Sequence, residues 1–303
     1  MTDETHDVAI IGAGFAGLSA AMMLVRGRRR VVLVDDGLAR NRFAQAAHGF
    51  LGQDGQSPAE IRRIGLAEVM TYPTAAHIAA RVGAVVRQAD GRFRLTGTGL
   101  DVTAERLILA YGQRDILPGI EGLAECWGIT ANQCPYCHGY ELSDRPTGIL
   151  CGDTVPEHLG QLLQEWTTDL TLLENGIGED KVAAADLAGV ARVAGRVRRV
   201  EHDRGVMRAV VLEGGVRVQM SALYLVTRQE PAAPFATDLG CAMKDGPMGP
   251  DIDVDKYQRT SVEGVFAAGD LTTSFANSVH AAASGTQAGA SCHQDLRGLL
   301  PPR

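Results

Sequence analysis

The chain has 303 residues, of which 45% are hydrophobic, and a formal net charge of -7 at pH 7. This length and apolar content predict a large buried core divided between two domains. The net negative charge argues against a nucleic-acid-binding protein. The one basic run, over residues 26–30, falls where a first helix should end, where basic residues complement the helix dipole. The first residues lack the pattern of a secretory signal, and no apolar run is long enough to span a membrane. We therefore expect a cytoplasmic protein without membrane attachment.

The first predicted element is an apolar strand over residues 7–11, which leads into a glycine-rich loop and a helix of small residues. In this context G-x-G-x-x-G indicates dinucleotide binding, since its glycines permit a tight turn, close approach of a pyrophosphate and packing of the helix. A second strand ends at Asp35, about 20 residues further on, where a carboxylate can bind a ribose. The loop residues expected to contact the dinucleotide are Gly12, Gly14, Phe15, Ala16 and Gly17. The alternative is a packing turn that holds no ligand.

A loop follows the second strand and precedes a helix expected from Ser57. His48 in this loop could donate to a flavin, although a lone loop histidine is more often solvated or locally bonded. Strand-like runs then occur at residues 84–87, 92–96 and 106–110. A turn at Gly112 and a break at Pro118 place the first domain boundary after residue 116.

The middle of the sequence repeats the β-α-β pattern with a poorer turn. Strands are predicted at residues 148–151 and 170–173, with an amphipathic helix between them. The turn has one glycine, Gly152, where pyrophosphate binding needs three. Glu174 could hold a ribose, but a charged residue at a strand end is more often a surface charge. Acidic residues at 179 and 180 would repel the 2′-phosphate of NADPH, so the pattern disfavours a nicotinamide nucleotide site.

Between these two patterns lies a C-x-x-C motif formed by Cys134 and Cys137. Two cysteines at this spacing can form and break a disulfide with little backbone movement, and a helix start would stabilise a thiolate. The alternative is half of a zinc site, but the other cysteines, Cys126, Cys151, Cys241 and Cys292, stand singly. In a reducing compartment a working dithiol is favoured. His138 could exchange protons with the thiols or form a structural hydrogen bond.

The last third contains short alternating strands over residues 192–226, a connector rich in proline and glycine, and the segment TSVEGVFAAGD before a helix over residues 278–296. The polypeptide thus returns to its first domain. The predicted fold class is α/β with two Rossmann-like nucleotide-binding domains, the first made of residues 1–116 and 248–303 and the second of residues 117–247.

Three features follow one another along the sequence: the glycine-rich loop with Asp35, the mid-sequence C-x-x-C, and the segment TSVEGVFAAGD. In this order of motifs the sequence resembles the low-molecular-weight thioredoxin reductases and their relatives, over essentially its whole length. The resemblance implies a discontinuous FAD domain, an inserted NAD(P)-type domain carrying the disulfide, and a homodimer. It assigns the loop glycines and Asp35 to the adenosine half of FAD and Asp270 to the ribityl group, although Asp270 could instead cap a helix. Further flavin-side positions implied are Gly112, Gly269 and His280.

Typical reductases have an acid directly after the second cysteine, where this sequence has His138. The run CPYCHGYE is similar to the branch that includes the FAD-dependent dithiol oxidases of gliotoxin-type and holomycin-type biosynthesis. That resemblance implies oxidation of a small dithiol through Cys134, Cys137 and FAD, with oxygen as acceptor. Two alternatives stay open. One is a disulfide reductase of a thioredoxin-like protein, supplied by NAD(P)H or ferredoxin, and the other is a flavin-bound redox sensor without turnover.

Overall fold

The computed structural model describes residues 5–303, which form two compact units. Among the described residues, the first unit consists of 5–42, Pro58–Asp115 and Gln229–Arg303. The second consists of Phe43–Ser57 and Ile116–Arg228. Each unit contains a sheet whose central strands are parallel, so the predicted α/β class with two Rossmann-type sheets is confirmed.

The sheet of the first unit is centred on strand His6–Ile11, which is parallel to both of its neighbours. Its apolar side chains are buried, as is typical of parallel strands covered on both faces. In spatial order the strands are Ala75–Ala79, Val31–Asp35, His6–Ile11, Leu100–Leu109, Phe93–Gly97 and Ala84–Arg87, with Val265–Ala267 also beside Leu100–Leu109. The sequence does not predict Ala75–Ala79, because that strand is mostly alanine, which has low strand propensity.

The C-terminal helix Ser278–Asp295 packs closely against helix Phe15–Arg26. Side chains on Gly285 and Gly289 would collide with the backbone of Ala16 and Ala20, so the two helices approach to backbone distance. This contact explains why the last helix is made of small residues. The other helices of the first unit are Pro58–Val69 and Phe235–Asp238, with 3-10 turns at Arg40–Phe43 and Gly269–Leu271. Short strand pairs are formed by Gln113–Ile116 with Arg228–Pro231 and by Met243–Gly246 with Gly249–Ile252.

The second unit has a parallel sheet and a smaller antiparallel one. The parallel strands, in spatial order, are Ala191–Val193, Leu170–Leu173, Thr147–Leu150, Ala222–Leu225 and Ala131–Asn132. The antiparallel strands are Val197–Asp203, Val206–Leu212 and Arg217–Gln219. The helices are Leu123–Cys126, Pro135–His138, Glu157–Leu163 and Glu179–Ala184. Strands Val206–Leu212 and Arg217–Gln219 are joined by a hairpin turn at Gly214 and Gly215, and both glycines have positive φ.

The division into units differs in two places from the predicted one. Residues 229–247 belong to the first unit, because Phe235, Ala236 and Cys241 are buried in its core. The loop Phe43–Ser57 belongs to the second unit, where Phe43 lies against Gly128. Proline and glycine content marked a connector in the sequence but could not show which core its apolar residues join. Within residues 5–303, no helix has both the length and the apolar character needed to cross a membrane.

Candidate functional site

The glycine-rich loop joins strand His6–Ile11 to helix Phe15–Arg26. A side chain on Gly12 would collide with the Ala110 carbonyl, and one on Gly17 would collide with the carbonyl of Gly12. These two glycines are therefore required by packing. Gly14 differs, because a Cβ there would have no heavy atom within 4 Å. The fold leaves open space at Gly14, which is where a ligand's pyrophosphate would approach the backbone.

The start of helix Phe15–Arg26 also suits an anion. Gly14 is its N-cap residue and supplies no capping side-chain hydrogen bond, and the first turn contains no acidic residue. Helix starts of this kind suit a phosphate, because their first backbone N–H groups point toward an approaching anion. Phe15 and Ala16 occupy this first turn.

Asp35 stands at the carboxyl end of the neighbouring strand and is tied to the loop. Its Oδ1 accepts from the Ala13 amide at 3.0 Å, and its Oδ2 accepts from the Gly37 amide at 3.2 Å. Arg62 donates to Oδ2 at 2.8 Å and to the Ala13 carbonyl at 3.0 Å. A carboxylate with about four acceptor positions still has capacity for a ribose hydroxyl. Sequence patterns did not indicate Arg62, because its role depends on how helix Pro58–Val69 meets the loop.

The remaining predicted flavin positions reach the same edge of the sheet. The register pairs Ile11 with Val34 and with Leu109, and Leu109 with Ala267. The residues that follow these strands therefore lie side by side, namely the glycine-rich loop, Asp35, Gly112, Gly269 and Asp270. Crevices at the carboxyl ends of parallel strands are the usual ligand sites of such sheets.

Asp270 lies in the 3-10 turn Gly269–Leu271, and its Oδ2 accepts from Arg40 Nη1 at 3.1 Å. The alternative role as a helix cap does not hold for helix Ser278–Asp295. That helix is capped by Asn277, whose Oδ1 accepts from the His280 amide at 2.7 Å. His280 is exposed in the first turn, edge-on to Phe275 with ring centroids 6.5 Å apart.

In the second unit, the two motif cysteines lie at a single helical turn, Pro135–His138. Cys134 is its N-cap residue with extended backbone, and the Cys137 amide donates to the Cys134 carbonyl at 3.2 Å. Both cysteines are half-buried. The predicted helix start is present, but one turn contributes only a small dipole to thiolate stability.

His138 follows directly, and its Nε2 atom is buried without a hydrogen-bond partner among the described residues. Burial lowers the pKa of His138 below its ordinary value, Glu141 opposes that shift, and His48 adds to it. The imidazole is therefore neutral at pH 7 and able to accept a proton. The structural hydrogen bond considered as an alternative is not made by Nε2.

His48 lies in the second unit with the dithiol. Its Nε2 is 3.4 Å from Glu141 Oε1, and its Nδ1 is 3.5 Å from Asp54 Oδ1. These contacts place the loop Phe43–Ser57 beside the segment that follows the cysteines, a proximity that sequence spacing did not indicate. No group of three or more His, Cys, Asp or Glu side chains suited to a metal ion occurs in the described part of the protein.

The second β-α-β turn differs from the first in its chemistry. Helix Glu157–Leu163 has Pro156 as its N-cap residue and Glu157 in its first turn. At the end of strand Leu170–Leu173, Asn175 donates to the Cys151 carbonyl and accepts from the Val197 amide, both at 3.0 Å. Lys181 donates to the Asp153 carbonyl at 3.1 Å. An acid thus occupies the phosphate position at the helix start, and the nearby amide and amine are bonded to the protein itself.

The family model for the pyridine nucleotide-disulphide oxidoreductases matches residues 6–155 and 183–285. Residues 156–182, between the two matched segments, contain helix Glu157–Leu163 and strand Leu170–Leu173. The match therefore includes the glycine-rich loop, the dithiol and Asp270, and leaves out most of the second β-α-β unit.

Similar proteins cover nearly the whole sequence. Thioredoxin reductase sirT of Leptosphaeria maculans is 29% identical over 302 residues, which are 93% of this protein and 92% of the relative. An oxidoreductase from Agrobacterium tumefaciens has a solved structure that is 37% identical, with a TM-score of 0.89 over 97% of this protein and 99% of its own length. The structure of a putative thioredoxin reductase TrxB from Bacillus anthracis is 30% identical, with a TM-score of 0.91 over 97% of this protein and 99% of its own length.

The open space at Gly14, the uncapped helix start and the acceptor capacity of Asp35 fit a flavin adenine dinucleotide, the cofactor of this family. With that fit and the match along both segments, the chain belongs to the pyridine nucleotide-disulphide oxidoreductase family, as an FAD-dependent oxidoreductase of the thioredoxin reductase type.

Proposed function

We propose that this protein oxidises a small dithiol to a disulfide through Cys134 and Cys137, with FAD as the electron carrier and molecular oxygen as the acceptor. The observation that carries the proposal is the contrast between the two turns. The first turn leaves room for a dinucleotide at Gly14, whereas the second has Glu157 and Pro156 at the corresponding helix start. A protein with a dithiol and a flavin but a degraded nicotinamide site is better suited to accept electrons from thiols.

The first unit is proposed as the FAD domain and the second as the dithiol domain. The residues proposed to hold FAD are Gly12, Gly14, Phe15, Ala16, Gly17, Asp35, Gly112, Gly269, Asp270 and His280. When bound, FAD would supply the two-electron transfer from the reduced dithiol to oxygen. The protein's own residues carry out the sulfur and proton chemistry.

In the proposed reaction a substrate thiolate attacks the Cys134 sulfur of the oxidised pair. A bond forms between substrate and Cys134, the Cys134–Cys137 bond breaks, and Cys137 leaves as a thiolate. The second substrate thiolate then attacks the substrate's own bonded sulfur, which releases the product disulfide and the Cys134 thiolate. His138 accepts a proton from a substrate thiol through its buried, unbonded Nε2. The resemblance assigns Cys137 to the flavin side, and the net reaction converts dithiol and oxygen to disulfide and hydrogen peroxide.

Anaerobic mixing tests the proposal. NADPH should leave the flavin absorbance unchanged, whereas a small dithiol should bleach it. Admitting air should restore the absorbance and release one peroxide per disulfide formed. Rapid bleaching by NADPH or NADH would contradict the proposal.

The names of the similar proteins favour a second candidate, reduction of a thioredoxin-like disulfide with electrons from NAD(P)H or ferredoxin. It uses the same couple in the opposite direction. The NADPH arm of the anaerobic experiment, with reduced ferredoxin added as a further electron donor, distinguishes it. Failure of every donor and every dithiol to change the flavin absorbance would leave the redox-sensor alternative.

A cytoplasmic homodimer is also proposed. This proposal is supported by the resemblance alone, and light scattering would test the dimer.

A further inference from the structure

The short segment that carries the dithiol presents two exposed aromatic rings. Tyr136, between the two cysteines, is 72% exposed, and Tyr140, in the turn that follows, is 82% exposed. The Tyr136 ring lies edge-on to Trp166, with ring centroids 5.5 Å apart, which restricts its motion. The face of an aromatic ring is apolar and carries partial negative charge. A molecule that reaches the dithiol therefore meets rings that favour apolar or cationic groups over anions.

The carboxylate of Glu141 lies close to the same dithiol. Glu141 is four residues after Cys137, in the turn that follows helix Pro135–His138. Burial raises the pKa of the Tyr224 phenol, and the negative charges of Cys134, Cys137 and Glu141 raise it further. The two sulfurs and this carboxylate thus lie around one buried phenol, near enough to act on it together.

His48 connects Glu141 to a second carboxylate, Asp54. Its Nε2 is 3.4 Å from Glu141 Oε1, and its Nδ1 is 3.5 Å from Asp54 Oδ1. Both carboxylate side chains are exposed, and within the described part of the chain neither has a lysine or arginine at ion-pair distance. A neutral imidazole has a single N–H donor and no charge, so it cannot neutralise the pair. The surroundings of the dithiol therefore become more negative as histidine loses its proton.

We infer that the dithiol selects substrates without an anionic group, and that Glu141 and Asp54 are the specificity-determining residues. The inference rests on the proposed role of Cys134 as the sulfur that exchanges with substrate. An anionic group on a molecule bound to Cys134 would lie near two carboxylates and beside the negative faces of the tyrosine rings. Repulsion would then slow its approach, whereas an uncharged molecule avoids the repulsion and packs its apolar atoms against the rings.

Formation of a mixed disulfide at Cys134 tests this selection without electron transfer to the flavin. In a Cys137→Ser background, the protein is mixed with dithiodipropionamide, which is neutral, or with dithiodipropionate, which is anionic. The Cys134 thiolate attacks the disulfide of the probe, a bond forms between Cys134 and one probe sulfur, and the other probe sulfur leaves as a thiolate. Peptide mapping follows the rate at Cys134 at about pH 8, where an ordinary histidine is neutral.

Each rate is divided by the rate of free mercaptoethanol with the same probe, which removes the intrinsic difference between the two probes. A change in the reactivity of Cys134 itself cancels when the two corrected rates are compared. The remaining ratio reports the charge around the dithiol and is insensitive to a merely structural effect.

The neutral probe should react about fivefold faster than the anionic probe at low ionic strength. In about 1 M salt, where the screening length is about 3 Å, the ratio should approach one. Glu141→Gln should also bring the ratio toward one. The matched control is Glu213→Gln, which removes the same charge from an exposed position next to the hairpin turn of the antiparallel sheet and should leave the ratio unchanged. Equal corrected rates, or a ratio that Glu141→Gln does not alter, would overturn the inference.

A second pair of probes separates this inference from the proposed function. Dihydrolipoamide and dihydrolipoate share one dithiol, and only the latter carries a carboxylate. In the anaerobic flavin assay, dihydrolipoamide should bleach the flavin faster by a similar factor. Bleaching at equal rates would overturn the inference and leave the proposed function intact. Bleaching by neither dithiol, with the mixed-disulfide ratio as expected, would contradict the proposed function and still support charge selection at Cys134.

Discussion

The Arg40 guanidinium donates from Nη1 to Oδ2 of Asp270 at 3.1 Å, in the turn where the flavin side of the site is proposed. The same guanidinium donates from Nε and Nη2 to Asp115 at 2.9 and 2.7 Å. Asp115 is nearly buried, with a side chain 6% exposed, and it also accepts from Gln229 at 3.3 Å. One cation thus compensates two carboxylates and fixes the orientation of Asp270.

Replacing Arg40 with methionine should therefore leave two partly buried carboxylates without their cation. We expect the free energy of unfolding in urea to decrease by about 3 kcal/mol. The ratio of flavin to protein absorbance after purification should also fall. The control is Arg63→Met, because Arg63 pairs with Glu60 on an exposed helix face, where solvent screens the ion pair and its loss should change stability little. Equal stability of the two variants would contradict the prediction.

Substitutions at Gly14 and Gly17 should distinguish a loss of FAD binding from a loss of folding stability. Gly14→Val should fold normally, since its backbone is extended and a Cβ there meets no other atom, but it should be purified without FAD because the valine occupies the pyrophosphate position. Gly17→Ala should instead destabilise the fold, because its Cβ would collide with the Gly12 carbonyl. Flavin absorbance and the circular dichroism melting curve distinguish these outcomes. A Gly14→Val protein with full flavin content would refute the assignment of the loop.

The two sulfurs should give different optical signatures. Cys134→Ser leaves Cys137 as the remaining motif thiolate, which should produce a long-wavelength charge-transfer absorbance with the flavin. Cys137→Ser should produce none, because only the flavin-side sulfur can donate to the ring, and both variants should lose turnover. Absorbance spectra of the flavin-loaded variants, recorded beyond the main flavin bands, provide the measurement. The opposite pattern would exchange the roles of the two cysteines.

His138 should make stability depend on pH in a defined direction. Burial lowers its folded-state pKa below the ordinary 6.5, so the unfolded protein binds the extra proton first as the pH falls. The stabilisation is complete above pH 6.5 and is lost progressively as the pH falls from there through the lowered folded-state value. Melting temperatures between neutral and acidic pH should decrease less steeply in His138→Asn. The control is His158→Asn, an exposed histidine of helix Glu157–Leu163, whose melting curves are recorded over the same pH range.

Sequence patterns alone were enough to predict the fold class, the family and the cofactor, and all three predictions are confirmed. These features depend on local patterns. Apolar runs form the buried parallel strands. Gly12 and Gly17 are required by the tight packing of the turn that joins a strand to the following helix in a dinucleotide-binding domain. The roles assigned to the individual site residues stay predictions.

Contacts between residues that are distant in sequence could be read only from the folded protein. Phe235 and Cys241 join the first core and the loop Phe43–Ser57 joins the second unit, against the division predicted from proline and glycine content. Arg40 pairs with Asp270, and His48 lies within ion-pair distance of Glu141. Tyr224 lies opposite Asn132 in the sheet, close to the dithiol segment. Long stretches of sequence separate the two residues of each pair. Such contacts follow from strand register and from the way loops pack, which set side-chain positions without leaving a periodic signal in the sequence.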